Sequence, residues 1–326
     1  MTPLRVLIAA LSILMLLPSV SRAAPRCKGQ QADIVADGNG AANGDSDDNV
    51  IVGTTGSDVI NGGGGNDLIC ARGGSDDVNG GAGNDRVFGG AGGDEIDGGA
   101  GQDALRGSDG GDTIHGGDAA DDVWGELGDD DLFGDLGQDS VRFGDAPQLV
   151  VVDLADGTST GGDGSDAIND FERIVGSSHA DRLYGSTRAE ALLGGAGDDL
   201  LRGGGGADAL RGEAGIDTAT YESFGGRFTV HLAQETGPGG DQLNGIENVI
   251  GGPGANVLIG TGGANSLDGR GGNDEIRGHA GNDNLVGGPG DDLLAGNDGR
   301  DNLSGGTGND RCLRSSNDTR NSCERD

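Results

Sequence analysis

The 326-residue chain has little of what an ordinary globular enzyme is built from. Aromatic residues are 3% of it and apolar residues 33%. One compact core in a chain of this length needs more apolar volume. Basic residues are scarce, 21 Lys and Arg against 55 Asp and Glu, for a net charge of −34. A surface this negative repels phosphate, which argues against a nucleic acid partner. Histidine occurs four times, as His115, His179, His231 and His279, and none of them sits in HExxH. That removes the zinc-protease motif. Hydrophobic runs are missing apart from residues 6–17, too short for the ~20 residues that span a bilayer. Arg5 before this run, Pro18 after it and Ser21-Arg22-Ala23 ahead of Ala24 fit a cleaved secretory signal over residues 1–23. No membrane span is then expected in the mature chain.

Cysteine is also rare: Cys27, Cys70, Cys312 and Cys323. An even number in an exported chain suggests two disulfides, and no CxxC points to zinc or redox chemistry. Three pairings are possible. We favour Cys27–Cys70 with Cys312–Cys323, one near each end; free thiols are the alternative.

Glycine is abundant, with 72 residues. It does not recur every third residue, which excludes collagen. The period is nine: from residue 80 the chain reads GGAGNDRVF, GGAGGDEID, GGAGQDALR, GSDGGDTIH. In register the array covers residues 44–142, 176–220 and 251–313, twenty-three units in all. Position six is an aspartate at Asp58, Asp67, Asp76, Asp85, Asp94, Asp103, Asp112, Asp121, Asp130, Asp139, Asp181, Asp199, Asp208, Asp217, Asp274, Asp283, Asp292, Asp301 and Asp310. It is Asn49, Glu190, Asn256 or Asn265 in the other units. Position eight is Ile, Leu or Val except at Ala219 and Cys312. Random low-complexity sequence would not hold three residue types in phase this long.

Glycines at positions one, two and four permit tight turns and close backbone approach. The residues around position eight suit a three-residue strand with one side chain pointing inward. Two turns and two strands close one coil, and stacked coils pair as parallel strands ~4.8 Å apart. This predicts an all-β parallel solenoid. Asp58, Asp76, Asp94, Asp112 and Asp130 would form one column, and Asp67, Asp85, Asp103, Asp121 and Asp139 the opposite one. Bare carboxylates so stacked repel. A hard divalent cation between turns removes the repulsion, and an all-oxygen shell at about 2.3–2.6 Å suits Ca2+ better than magnesium. Scattered Cys and sparse His argue against zinc. One aliphatic side chain per nine residues is a thin core, so calcium is expected to drive folding of an otherwise largely disordered chain.

GGAGNDRVF, GGGGNDLIC and GGTGNDRCL resemble the RTX nonapeptide, GGxGxDxUx, of hemolysin-type calcium-binding proteins. The resemblance implies a parallel β-roll with several Ca2+ ions held between same-side turns by the nineteen position-six aspartates and by turn carbonyls. Weaker sites are expected at Asn49, Asn256 and Asn265. His179 and Arg188 replace the position-four glycine, which puts the turns of Asp181 and Glu190 in doubt. Many family members carry a further catalytic or pore-forming domain and leave by a C-terminal signal; this chain is closer to small exported repeat-only members.

Residues 24–43 read as an N-terminal extension and 314–326 as a cysteine-closed tail. Residues 143–175 and 221–250 break the period but resemble each other: VVVDLADG then GGDGSDAINDFERIVG, and FTVHLAQETG then GGDQLNGIENVIG. Each reads as strand, turn and re-entering strand, a bulged coil that continues the solenoid, with a grafted binding loop as the alternative. Phe143, Phe171, Tyr221, Phe224 and Phe228 fall there as local core filling. Residues 157–161 match GxSxG formally, without the helix a nucleophile elbow requires. Residues 37–49 loosely resemble an EF-hand loop, but a degenerate first coil fits better. Trp124 is at an outward position. The reading is a secreted, extracellular calcium-binding repeat protein without catalysis. A calcium-dependent polysaccharide or matrix adhesion module is the alternative, and a calcium-dependent secreted hydrolase a more distant one centred on Ser159.

Overall fold

In the computed structural model the described residues are 26–162, 164–313, 315 and 317–324; the expected signal segment lies outside them. Strands and turns account for the regular structure, with 3-10 turns at Leu232–Gln234 and Pro238–Gly240. The strands stack in parallel register one coil apart. Ile96 pairs with Val78 below and Ile114 above, and on the opposite face Leu105 pairs with Val87 and Val123. The chain is a parallel β-solenoid, as the nonapeptide period requires.

The strands are longer than the three residues expected. In the long runs they span six, as in Arg86–Ala91, Glu95–Ala100 and Ala104–Asp109. Ladder bonding continues past the aliphatic residue through positions one to three of the next unit and stops only at the corner. Position eight therefore points inward, and so does position one. Position eight supplies the core: Ile69, Val87, Ile96, Leu105, Ile114, Val123 and Leu132 are fully buried.

The first interruption adds strands to one face. Asp131–Leu136 pairs with Ser165–Asn169, which pairs antiparallel with Thr158–Gly161. Thr158–Gly161 pairs antiparallel with Val150–Asp153, and that strand rejoins the stack beside Arg182–Tyr184. The other face passes directly from Ser140–Arg142 to Arg173–Val175. This is an inserted hairpin rather than the bulged coil expected. The hairpin fits there because VVVD alternates, burying Val150 and Val152.

The second interruption divides the other sheet. Gln242–Asn244 ends one run against Ala209–Ala214, and Thr229–His231 starts the next against Val257–Ile259. The opposite face continues unbroken through Asn248–Ile250. Tyr221, Phe224 and Phe228 fill this joint, with ring centroids 5.4–6.0 Å apart. Phe143 and Phe171 are buried in the same continuous core.

Cys27 is bonded to Cys70, and Cys312 to Cys323. The first bond holds a short antiparallel pair, Arg26–Cys27 with Gln30–Gln31, beside Val52 and Leu68. Residues 37–43 form no EF-hand. Asp37 accepts the N–H groups of Asn39 and Ala41, and Ala41–Asn43 joins the solenoid beside Val59–Gly64.

Candidate metal-binding turns

All nineteen position-six aspartates are at most 3% exposed. They form the two expected columns, and hydrogen bonds join each column. The N–H of Asp58 donates to Oδ1 of Asp76, Asp76 to Asp94, Asp94 to Asp112, and Asp112 to Asp130, at 2.8–2.9 Å. On the other edge Asp67 donates to Asp85, Asp85 to Asp103, Asp103 to Asp121, and Asp121 to Asp139, at 2.7–2.8 Å. One carboxylate oxygen per turn thus ties two coils together.

The second oxygen is a different matter. Oδ2 of Asp67, Asp76, Asp85, Asp94, Asp103, Asp112, Asp121 and Asp139 is buried and has no hydrogen-bond partner. The same holds in the later runs for Asp199, Asp208, Asp217, Asp274, Asp283, Asp292, Asp301 and Asp310. A buried anion without a partner is costly. Burial accordingly pushes these carboxyl groups up, to about 6 at Asp94, Asp103 and Asp112 and to about 7 at Asp121 and Asp274.

Two glycines show why the turn needs them. A Cβ on Gly107, at position one, would lie 2.1 Å from Oδ2 of Asp112. Position one points inward, and the carboxylate of its own unit fills the space a side chain would take. Gly92, at position four, has φ +129°, and a Cβ there would lie 1.8 Å from the carbonyl oxygen of Gly74 in the preceding coil. Position two also lies at positive φ in the long runs, even where it is Arg72, Ser108, Glu126 or Asp135.

The donor set fits a hard cation: buried, unpaired carboxylate oxygens beside glycine-rich backbone. Among the described residues no three Asp, Glu, His or Cys side chains converge on one point. Each turn contributes one buried position-six carboxylate, so side chains alone do not complete a six- to eight-oxygen shell.

Sequence reasoning missed five members of the columns; one is in the tail, where Asp301 donates its N–H to Oδ1 of Asp318 at 3.2 Å. Asp130 donates its N–H to Asp166, and Asp139 to Glu172. Asp208 donates to Asp241, and Asp217 to Glu247. The interruptions therefore carry position-six equivalents. The signal for Asp166 was present, because residues 161–169 read GGDGSDAIN, a full nonapeptide out of step with the array. GGDQLNG, DFERIV and GIENVI show Asp241, Glu172 and Glu247: an acidic residue two places before the inward aliphatic residue.

A parallel β-solenoid with buried acidic columns at its turns defines a calcium-binding β-roll. The model of the RTX calcium-binding nonapeptide repeat (4 copies) matches residues 43–78, 71–105, 106–141, 184–219, 236–276, 250–285 and 277–312, and the chain belongs to this family. Calcium binding follows from that membership. No curated protein matches the chain.

Proposed function

We propose that this is a secreted protein without catalytic activity, whose fold is induced by extracellular calcium. The rows of buried carboxylate oxygens without partners carry the reading. Asp67 to Asp139 in the first block, Asp199 to Asp217 in the second and Asp274 to Asp310 in the third would hold the ions, together with turn carbonyls. Asp166, Glu172, Asp241 and Glu247 extend the same rows. Bound calcium supplies the positive charge that offsets carboxylate desolvation. The chain supplies the ladder that spaces the carboxylates and the glycines that make room for those carboxylates and for close stacking of the backbone.

Far-UV circular dichroism with and without EDTA tests this. Loss of the strand signal in EDTA and its return with Ca2+ are expected; an unchanged signal defeats calcium-induced folding. Export is supported by the pattern of residues 1–23 and by the two disulfides. The absence of catalysis is supported by the state of Ser159. It is 2% exposed, lies within the strand Thr158–Gly161 and donates its hydroxyl to Asp166. Calcium-dependent hydrolysis abolished by Ser159→Ala would reverse that assignment.

A second reading has one specific support. The single Trp124 shares an open groove of about 490 Å3 with Lys28, Arg106 and Arg142. The Arg106 guanidinium lies 4.3 Å, and that of Arg142 5.3 Å, from the Trp124 ring centre. Arg106 is paired with Glu126 and Asp145, and Arg142 with Asp122, so the groove offers a glycan an aromatic ring within a rim of balanced charge. Calcium-dependent glycan binding lost in Trp124→Ala would support an adhesion role, and its retention would remove this groove from consideration.

A further inference from the structure

The array contains two kinds of turn, and the second kind opens every block. Across the long runs the position-two residue has φ between 65° at Asp135 and 117° at Gly90. In the first two units of each block it does not. Those residues are Asp45 and Thr54, Ser177 and Ser186, and Gly252 and Thr261, and none lies at positive φ.

The changed backbone points donors at the unit's own position-six side chain. The Thr54 N–H donates to Oδ2 of Asp58 at 2.6 Å, and its hydroxyl to Oδ1 at 3.0 Å. The Ser177 N–H donates to Oδ2 of Asp181 at 2.5 Å, and its hydroxyl to Oδ1 at 2.9 Å. Thr261 gives both its N–H and its hydroxyl to Oδ1 of Asn265, at 2.7 and 3.1 Å. Asp45 gives its N–H to Oδ1 of Asn49 at 3.0 Å, and Ser186 gives its hydroxyl to Oε1 of Glu190. Of the two negatively charged aspartates in this set, both have each oxygen accepting a hydrogen bond. Glu190 and Asn256 are less complete, with Oε2 of the one and Oδ1 of the other buried and unpaired.

Asn256 shows what replaces the ion. Its Nδ2 donates to the carbonyl of Gly252 in its own turn at 2.9 Å and to that of Gly269 in the next coil at 3.3 Å. Asn265 Nδ2 donates to the carbonyl of Glu247, one coil earlier, at 2.7 Å. An amide N–H pair bridging carbonyls of successive coils does by hydrogen bonding what a cation between coils does by charge. Donors packed around the side chain also repel a cation.

We infer that the opening coil of each block takes no calcium and is closed by its own hydroxyl, backbone and amide donors. The bound ions are then confined to the turns that follow. This rests on the reading of the long stacks as calcium sites.

The test counts calcium bound per full-length chain at saturation, by equilibrium dialysis and atomic absorption. Asp103→Asn is expected to lower the count by at least one ion. Asp58→Asn and Asp181→Asn are expected to leave it at the unsubstituted value. Thr54→Val guards against poor folding of the charge variants: it should lower the melting midpoint with the count unchanged. Loss of an ion in Asp58→Asn, Asp181→Asn or Thr54→Val overturns the inference while the calcium reading of the long stacks stands. An unsubstituted chain that binds no calcium overturns both, and its own titration shows that without any variant.

Discussion

The backbone N–H of Asp103 donates to Oδ1 of Asp121, one coil further on, at 2.8 Å, while Oδ2 of Asp121 is buried without a partner. One oxygen holds coils together and the other is available to an ion. Asp121→Asn keeps the acceptor and removes the charge, whereas Asp121→Ala removes both. In saturating calcium, Ala is expected to cost about 1–2 kcal/mol more stability than Asn. Denaturant unfolding measures the difference, and equal losses would show that the ladder bond contributes nothing.

Gly107 is packed against the carboxylate of Asp112 rather than held at positive φ. Gly107→Ala is therefore expected to destabilise by about 1–3 kcal/mol through steric conflict. Gly144, whose Cβ would meet nothing within 4 Å, is the control. Gly144→Ala should leave the melting midpoint in calcium within error.

Metal-free chain should respond to pH in the direction opposite to a salt-bridged protein. Burial raises the folded-state carboxyl values to about 6 at Asp94 and about 7 at Asp121, from an ordinary 3.8. The folded form then binds protons more tightly than the unfolded one. Stability is greatest below 3.8 and is lost as pH rises through about 7. Chelated chain is expected to gain strand signal on acidification across this window. A flat or falling circular dichroism signal would contradict it.

The Cys27–Cys70 bond closes a 43-residue separation and anchors the amino-terminal pair of strands on Val52 and Leu68. Replacing both cysteines by serine is expected to cost about 2–4 kcal/mol. Amide exchange should speed up in the first coils and stay unchanged in the third block. Uniform acceleration along the chain would mean that the solenoid unfolds as one unit.

The nonapeptide register makes the fold and the two acidic columns legible in the sequence, because side chains one coil apart must stack. Asp94 and Asp112 were paired on that basis, and they are neighbours. Strand length was less legible. Positions one to three carry mostly glycine, which signals a turn, yet their backbone pairs between coils, as Gly99 with Gly117 shows. Glu172 and Glu247 were hidden because their turns, Asp170-Phe171-Glu172 and Gly245-Ile246-Glu247, lack the glycine pattern of the array. Asp58 looked like any other position-six aspartate. The cue was its neighbour Thr54, whose hydroxyl competes for the same carboxylate.

The hairpin Val150–Asp153 with Thr158–Gly161 has a mechanical consequence. It interrupts one acidic row between Asp130–Asp166 below and Val150–Asp181 above, and the second sheet is parted again between Gln242–Asn244 and Thr229–His231. Nearest-neighbour coupling in a stacked array passes only through intact contacts. At each interruption one sheet is parted while the opposite sheet and the aliphatic core run on, so the mechanical coupling between neighbouring blocks is weakened rather than cut.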